Sequence, residues 1–238
     1  MRISSATGNG AGFDALPRDS VVILGAGGHA AVLIDIIRES NILQIAGILD
    51  RPQSARIGEA HCNVPIMGGD ELLCVLEERG VKSFVVGVGS KGDNRLREEL
   101  YHLAVNAGLS PFMVIHPSSM IASTAHLGPG AQILAGSIVN SYATVGANAI
   151  INTGAVVEHH CVVGEHSHVA PGAVIGGEVS IGHRAHIGLG AKIREGLRIG
   201  NHSLVGVGAV VIDDVADNTV VVGNPAKHLR MNLIDIDT

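Results

Sequence analysis

Two groups of residues in this 238-residue chain could do chemistry. The first is the adjacent pair His159 and His160, in the segment Val157-Glu158-His159-His160-Cys161-Val162-Val163-Gly164. A neutral imidazole accepts a proton near pH 7, as an attacking amine or hydroxyl requires of a general base. Nine of the thirteen histidines fall in this C-terminal stretch. A single histidine there reads first as a solvated side chain, and needs a second reason to be given a catalytic role. The second group is Gly25-Ala26-Gly27-Gly28-His29-Ala30, followed by Asp50 and Arg51. A glycine-rich turn into a helix offers backbone N–H groups to a diphosphate, and an acid ending the next strand suits a ribose. The same glycines would also serve tight strand–helix packing alone.

The elements that must position the histidine pair are set by a repeat of six. Every sixth residue from Ile115 to Val211 is Ile, Leu or Val, seventeen in all. Four places after the aliphatic stands a small residue in most hexads, as at Ala125, Ala143, Ala155, Ser167, Ala185 and Ala209. The place directly after it is often glycine, as at Gly128, Gly146, Gly164 and Gly188, which we expect to relieve the backbone near turns. A period of six fits neither a helix nor a long strand. It fits a coil of three short strands, one hexad to each face, with aliphatics stacked inside at the inter-strand spacing of about 4.8 Å. His159 and His160 take the third and fourth places of their hexad and should face outward, into a groove that a neighbouring subunit completes. Residues eighteen apart stack, which sets Glu178 beside His160 as a candidate carboxylate partner or a routine exposed acid, and His186 beside His168.

The preceding stretch is patterned differently. Val21 to Leu24 reads as a strand leading into the glycine-rich turn and a helix over Ala31 to Arg38. Strands follow at Ile45 to Leu49 and Phe84 to Val88, with helices over Asp70 to Arg79 and Asn94 to Ala107. Alternating strands and helices imply a small parallel sheet. With about ninety residues, the stretch amounts to one mononucleotide-binding half, which favours a nucleotide-sugar diphosphate over a nicotinamide. The predicted organisation is a disordered leader at 1–19, a Rossmann-like nucleotide-sugar-binding domain at 20–111, a parallel β-helix at 112–230 and a tail at 231–238.

Composition narrows the function classes. The net charge is −6 and no basic stripe with interleaved aromatics occurs, which argues against nucleic acid. No apolar run approaches a membrane span, and Met1 to Ser20 lacks the apolar centre of a signal peptide. Cys62, Cys74 and Cys161 match no metal or redox spacing, so the expected setting is the cytoplasm.

An α/β domain with GAGGHA at its first turn, then hexads, then the ending Val222-Gly223-Asn224-Pro225-Ala226-Lys227, resembles the NeuD/PglD group of sugar acetyltransferases of the hexapeptide-repeat family. The resemblance implies a left-handed β-helix, a homotrimer and acetyl-CoA as cosubstrate, with no metal. It implies acetylation of the amino group, expected at C4, of a nucleotide-linked deoxy sugar in bacterial glycan biosynthesis, or of a sialic acid hydroxyl in the O-acetylating branch. By the same resemblance His159 is the catalytic base, with His160 beside it where relatives usually carry Glu or Asp. His168, Leu189 and Val207 correspond to acetyl-CoA contacts. Gly27, Gly28, His29, Asp50, Arg51 and Gly89 correspond to nucleotide-sugar contacts. Two other classes stay open from the residues alone: a non-catalytic nucleotide-sugar-binding protein, and a hexapeptide-class zinc hydrolyase. The absence of any two histidines five apart argues against the second.

Overall fold

The computed structural model describes residues 20–51, 54 and 56–232. The leader expected at 1–19 and most of the tail lie outside the described residues. The first unit is a parallel sheet of β1 (Ser20–Leu24), β2 (Gln44–Leu49), β4 (Val64–Gly68), β5 (Ser83–Val86) and β6 (Ser110–Pro111), with the short β3 (Ala60–His61) antiparallel on β4. Strand order is β3-β4-β2-β1-β5-β6. Three helices accompany it: α1 (Gly28–Ser40), α2 (Leu73–Glu78) and α3 (Arg95–Asn106). β1 reads as an unbroken apolar run because both its faces are covered, and all five of its residues are buried. Ile23 and Val21 pack with Leu33, Ile34 and Ile37 of α1, whereas Val22 and Leu24 pack with Leu76, Leu100 and Ala104 of α2 and α3. The β-strands at 60–68 and 110–111 were not anticipated from the sequence. They are short, and Pro65 and Pro111 weaken a strand reading.

From Val114 the chain winds as a left-handed β-helix of two-residue strands. Each strand pairs in parallel with the one eighteen residues on, as Gln132 with Ile150 and Ile150 with His168. Three sheets result, one for each face of the prism. The hexad aliphatics from Ile133 to Val211 are buried in one continuous core. The small residues four places later, from Ala131 to Ala209, are buried with them. The first turn is less covered, and Ile115 is 38% exposed. The last turn is shortened by two residues, since Leu204 pairs with Val220, and the antiparallel Lys227–Met231 strand closes the end.

The expected role of the glycines after each aliphatic needs correction. Gly128, Gly146, Gly164, Gly182 and Gly188 do not have positive φ; a Cβ there would lie about 2.6 Å from backbone of the next coil. They permit close stacking of coils. From Gly130 to Gly208 the left-handed residue is instead two places later in each hexad, and three columns of such corners run along the prism. The corner between the first and second faces is all glycine: Gly136, Gly154, Gly172, Gly190 and Gly208. The corner between the second and third faces carries Tyr142, His160, Glu178 and Gly196. The remaining corner carries Gly130, Asn148, His166, Arg184 and His202.

The α/β unit sits on the first face and this last corner. Arg97 of α3, fully buried, donates through Nη2 to Asn148 O at 2.9 Å and Asn148 Oδ1 at 2.8 Å, and through Nη1 to the Val88 carbonyl. Asn148 returns a bond from Nδ2 to the Arg97 carbonyl. Burial alone lowers the Arg97 guanidinium to about 9. Asn94 Nδ2 donates to the carbonyls of Arg184 and Ala185. These bonds tie the two units into one frame.

Candidate active site

At the C-terminal ends of β1, β2 and β5 lies a cleft of about 700 Å³. All six residues expected to meet the nucleotide sugar line it: Gly27, Gly28, His29, Asp50, Arg51 and Gly89. Gly27 caps α1 without a side-chain bond, so the first N–H groups of the helix face this space. Gly27 and Gly28 would meet nothing within 4 Å through a Cβ. Asp50 accepts a hydrogen bond from Ser54 Oγ at 2.8 Å, which holds its carboxylate. Asp70, Ser90 and Lys91 also line the cleft and were missed. Desolvation, reinforced by Glu71 and Asp50, raises the Asp70 carboxyl.

His29 is neutral. Burial, helped by nearby Arg97, lowers it to about 4. Gln132 Nε2 donates to Val86 O, so its Oε1 faces His29 and accepts from Nε2–H at 2.6 Å. That leaves Nδ1 as an acceptor, which suits a ligand hydroxyl. An acceptor nitrogen repels a phosphate oxygen, so of a ligand's groups a hydroxyl is the one His29 can serve.

His159 and His160 are exposed on the corner between the second and third faces. Their Nδ1 atoms are 3.2 Å apart. A Cβ on Gly177, eighteen residues after His159, would stand 2.6 Å from its Cε1 and 2.7 Å from its Nε2. The His159 ring therefore lies over the bare backbone of the next coil. Gly177 stands where the eighteen-residue repeat places the next-coil neighbour of His159. Glu158 does not reach an imidazole; it accepts from Asn140 Nδ2 at 3.0 Å and the His159 backbone N–H at 3.3 Å. Glu178 stacks in the expected column, its N–H donating to His159 O. Its carboxylate makes no hydrogen bond or ion pair with His160; of its two readings Glu178 matches the routine exposed acid. The ring against His160 is Tyr142 of the preceding coil, at 5.1 Å and 23°.

The acetyl-CoA candidates divide. Leu189 and Val207 are 52% and 77% exposed at the all-glycine corner, where Gly172, Gly190 and Gly208 leave open space. His168 is buried on the first face, ring against His186 at 5.0 Å. Reading repeat histidines as solvated thus fails for His166, His168 and His186, which the α/β unit covers. Asn152 Oδ1 accepts from the Thr153 N–H, so its Nδ2 donates to His168 Nε2 at 2.9 Å. The remaining proton is on Nδ1, a buried donor without a hydrogen-bond partner among the described residues. Within one chain neither this group nor the cleft adjoins His159, which lies across the second face.

One further cluster could be taken for a metal site. Ligand atoms of Glu98, His102 and His166 lie within 4.8 Å of one another. The Arg97 bond turns Asn148 Nδ2 toward His166 Nδ1, 2.9 Å away, making Nδ1 an acceptor. The proton is then on His166 Nε2, the atom that would have to ligate. Glu98 is instead ion-paired with Arg184, whose Nε lies 3.0 Å from Oε2, and has His183 Nε2 3.2 Å from Oε1. The donor set does not suit a metal ion.

A β-helix of hexads joined to a diphosphate-type cleft, with an exposed histidine pair at a prism corner, defines an acyltransferase architecture of the hexapeptide class. Comparison with known proteins refines this. Residues 20–104 match the PglD N-terminal domain family, and residues 142–177 match the bacterial transferase hexapeptide family of six repeats. PerB from Caulobacter crescentus, solved with CoA and GDP-perosamine, is 38% identical over 91% of this chain and 100% of its own, with a TM-score of 0.83. The acetyltransferase domain of PglB from Neisseria gonorrhoeae, solved with acetyl coenzyme A, is 29% identical over 89% of this chain and 99% of its own, with a TM-score of 0.80. WeeI from Acinetobacter baumannii is 26% identical over 88% and 99%, with a TM-score of 0.78. No curated protein sequence matches. The chain belongs to the NeuD/PglD family of hexapeptide-repeat sugar acetyltransferases.

Proposed function

We propose that the protein transfers the acetyl group of acetyl-CoA to the amino group of a nucleotide-linked deoxy amino sugar, GDP-linked as in PerB, with His159 as general base. The observation that carries this is the cleft over the α1 N-terminus, lined by all six nucleotide-sugar candidates, on a chain whose 38%-identical relative was solved with CoA and GDP-perosamine. The helix start receives the diphosphate, and Asp50 and Arg51 meet the ribose or base. The sugar amine attacks the thioester carbonyl; the new N–C bond forms, the C–S bond breaks, and the amine proton passes to His159 Nε2 and on to the departing CoA sulfur. The buried Nδ1–H of His168 suits the thioester or a pantetheine carbonyl. Leu189 and Val207, beside open glycine corners, suit the pantetheine arm.

The working unit in this reading is a cyclic homotrimer. His159 and the Leu189–Val207 ridge occupy different corners of one prism, and a neighbour's corner brings them together across a groove. We place the enzyme in the cytoplasm, where acetyl-CoA and nucleotide sugars are made; among the described residues no helix is long and apolar enough to cross a membrane. The test is a thiol-release assay with acetyl-CoA and GDP-linked 4-amino sugar. Wild type turns over, whereas His159→Ala, still trimeric by sedimentation, loses kcat by about 10²–10⁴-fold. Near-native kcat in the variant removes His159 from this role, and a monomer at micromolar concentration removes the shared site.

A further inference from the structure

We infer that His160 and Tyr142 are positioning residues for the reaction: His160 Nδ1 accepts the Nδ1–H of His159, and Tyr142 holds the His160 ring in register to do so. The inference rests on the reading of His159 as base. For His159 Nε2 to take a proton, its own proton must be on Nδ1, and a group must fix that tautomer. The atom facing His159 Nδ1 is His160 Nδ1, at 3.2 Å. The neighbouring carboxylates do not compete: Glu158 is engaged by Asn140 and backbone, and Glu178 contributes only its N–H, to the His159 carbonyl. The Cys161 thiol points inward and donates to Gly176 O at 3.0 Å.

His160 is held on three sides. Its backbone is at φ +58, with its N–H on Ser141 O at 3.0 Å. Its ring is stacked on Tyr142, which has the same left-handed backbone at φ +59 and donates its N–H to Thr124 Oγ1 at 3.1 Å. Such backbone disfavours a tyrosine, and five glycines fill the equivalent places at the first corner. A neutral acceptor stabilises the developing imidazolium less than a carboxylate would. A carboxylate at 160 therefore makes His159 a stronger base and moves the acid limb of the rate profile to higher pH.

Three replacements at 160 separate the alternatives while keeping the corner. Gly suits this backbone, as at Gly196, and removes the ring; Asn suits it, as at Asn148, and sets Oδ1 where Nδ1 was; Glu supplies the carboxylate. The expected result is a kcat loss of roughly 10- to 100-fold in His160→Gly with KM for acetyl-CoA unchanged, most of it recovered in His160→Asn. In His160→Glu the acid limb moves upward. Tyr142→Phe, which keeps the stacked face, loses less than Tyr142→Gly. Nitrogen-15 shifts of the His159 ring give a readout independent of turnover: protonated Nδ1 in wild type and His160→Asn, and a shift toward protonated Nε2 in His160→Gly. Unchanged kcat and unchanged ring shifts in His160→Gly overturn the inference. A wild type inactive on every nucleotide-linked amino sugar overturns the proposed function instead, and the ring shifts still decide the tautomer.

Discussion

Replacing Gly177 by alanine perturbs the proposed base without touching it chemically. Gly177 is not at positive φ, so alanine suits its backbone. The added Cβ would stand 2.6 Å from His159 Cε1 and 2.7 Å from Nε2. Ordinary carbon contacts are about 3.5–4.0 Å, so the imidazole must retreat by about 1 Å. His159 is an exposed side chain and can do so at little cost in stability. A misplacement of about 1 Å in a reacting group costs on the order of 10²-fold in rate. Gly177→Ala should therefore lower kcat by about 10²-fold while the melting temperature and KM for the nucleotide sugar stay near wild type. The assay is thiol release at saturating acetyl-CoA, with calorimetry on the same samples. Wild-type kcat would refute the placement of His159 over Gly177 or its role, and a large fall in melting temperature would show that the coil, not the ring, gave way.

Three other outcomes follow from the same structure. Gly28→Ala meets no protein atom within 4 Å, so it should fold as wild type yet raise KM for the nucleotide sugar about tenfold or more by crowding the diphosphate; unchanged KM would place the ligand elsewhere. Arg97→Met removes the buried bonds to Asn148 and Val88 and should destabilise by about 3–5 kcal/mol in urea unfolding, because the orphaned carbonyls stay buried; a change below about 1 kcal/mol would mean the interdomain bonds are replaceable. His166 and His186 are lowered to about 3 and about 4, chiefly by burial. The unfolded chain then binds protons that the folded chain refuses, so stability is full above pH 6.5 and falls as pH drops toward 4, by about 3 kcal/mol for His186. His186→Gln should flatten the fall in urea midpoint between pH 7 and pH 4.5, and an equally steep fall would contradict the assignment.

The β-helix was legible because its rule is local and repeated: one aliphatic in six, one small residue four places later. The cleft over the α1 N-terminus was legible because GAGGHA, Asp50 and Gly89 each end or follow a strand. What escaped the sequence is contact between residues remote in the chain. Gln132 sets the tautomer of His29 across 103 positions, and Asn148 joins Arg97 across 51. Each is a polar residue on a face or corner of the prism, where a solvated side chain is the ordinary reading. The burial of His166, His168 and His186 escaped for the same reason, since nothing in the hexads says which prism face the α/β unit covers. Gly177 and Tyr142 were available in principle, standing eighteen residues from His159 and His160, but stacking alone does not tell which neighbour a ring leans on.

The central claim is that the α/β cleft binds the acceptor by its nucleotide so that the sugar amine reaches His159. Binding energy from the remote nucleotide then appears in the transition state. The direct measurement is kcat/KM for a GDP-linked 4-amino sugar, for the same sugar without its nucleotide, and for free sialic acid. We predict a preference for the GDP-linked amine of at least about 10³-fold, on the order of 4 kcal/mol of nucleotide binding carried into the transition state. Equal efficiency with and without the nucleotide would contradict the role of the cleft, and a preference for sialic acid would assign the protein to the O-acetylating branch.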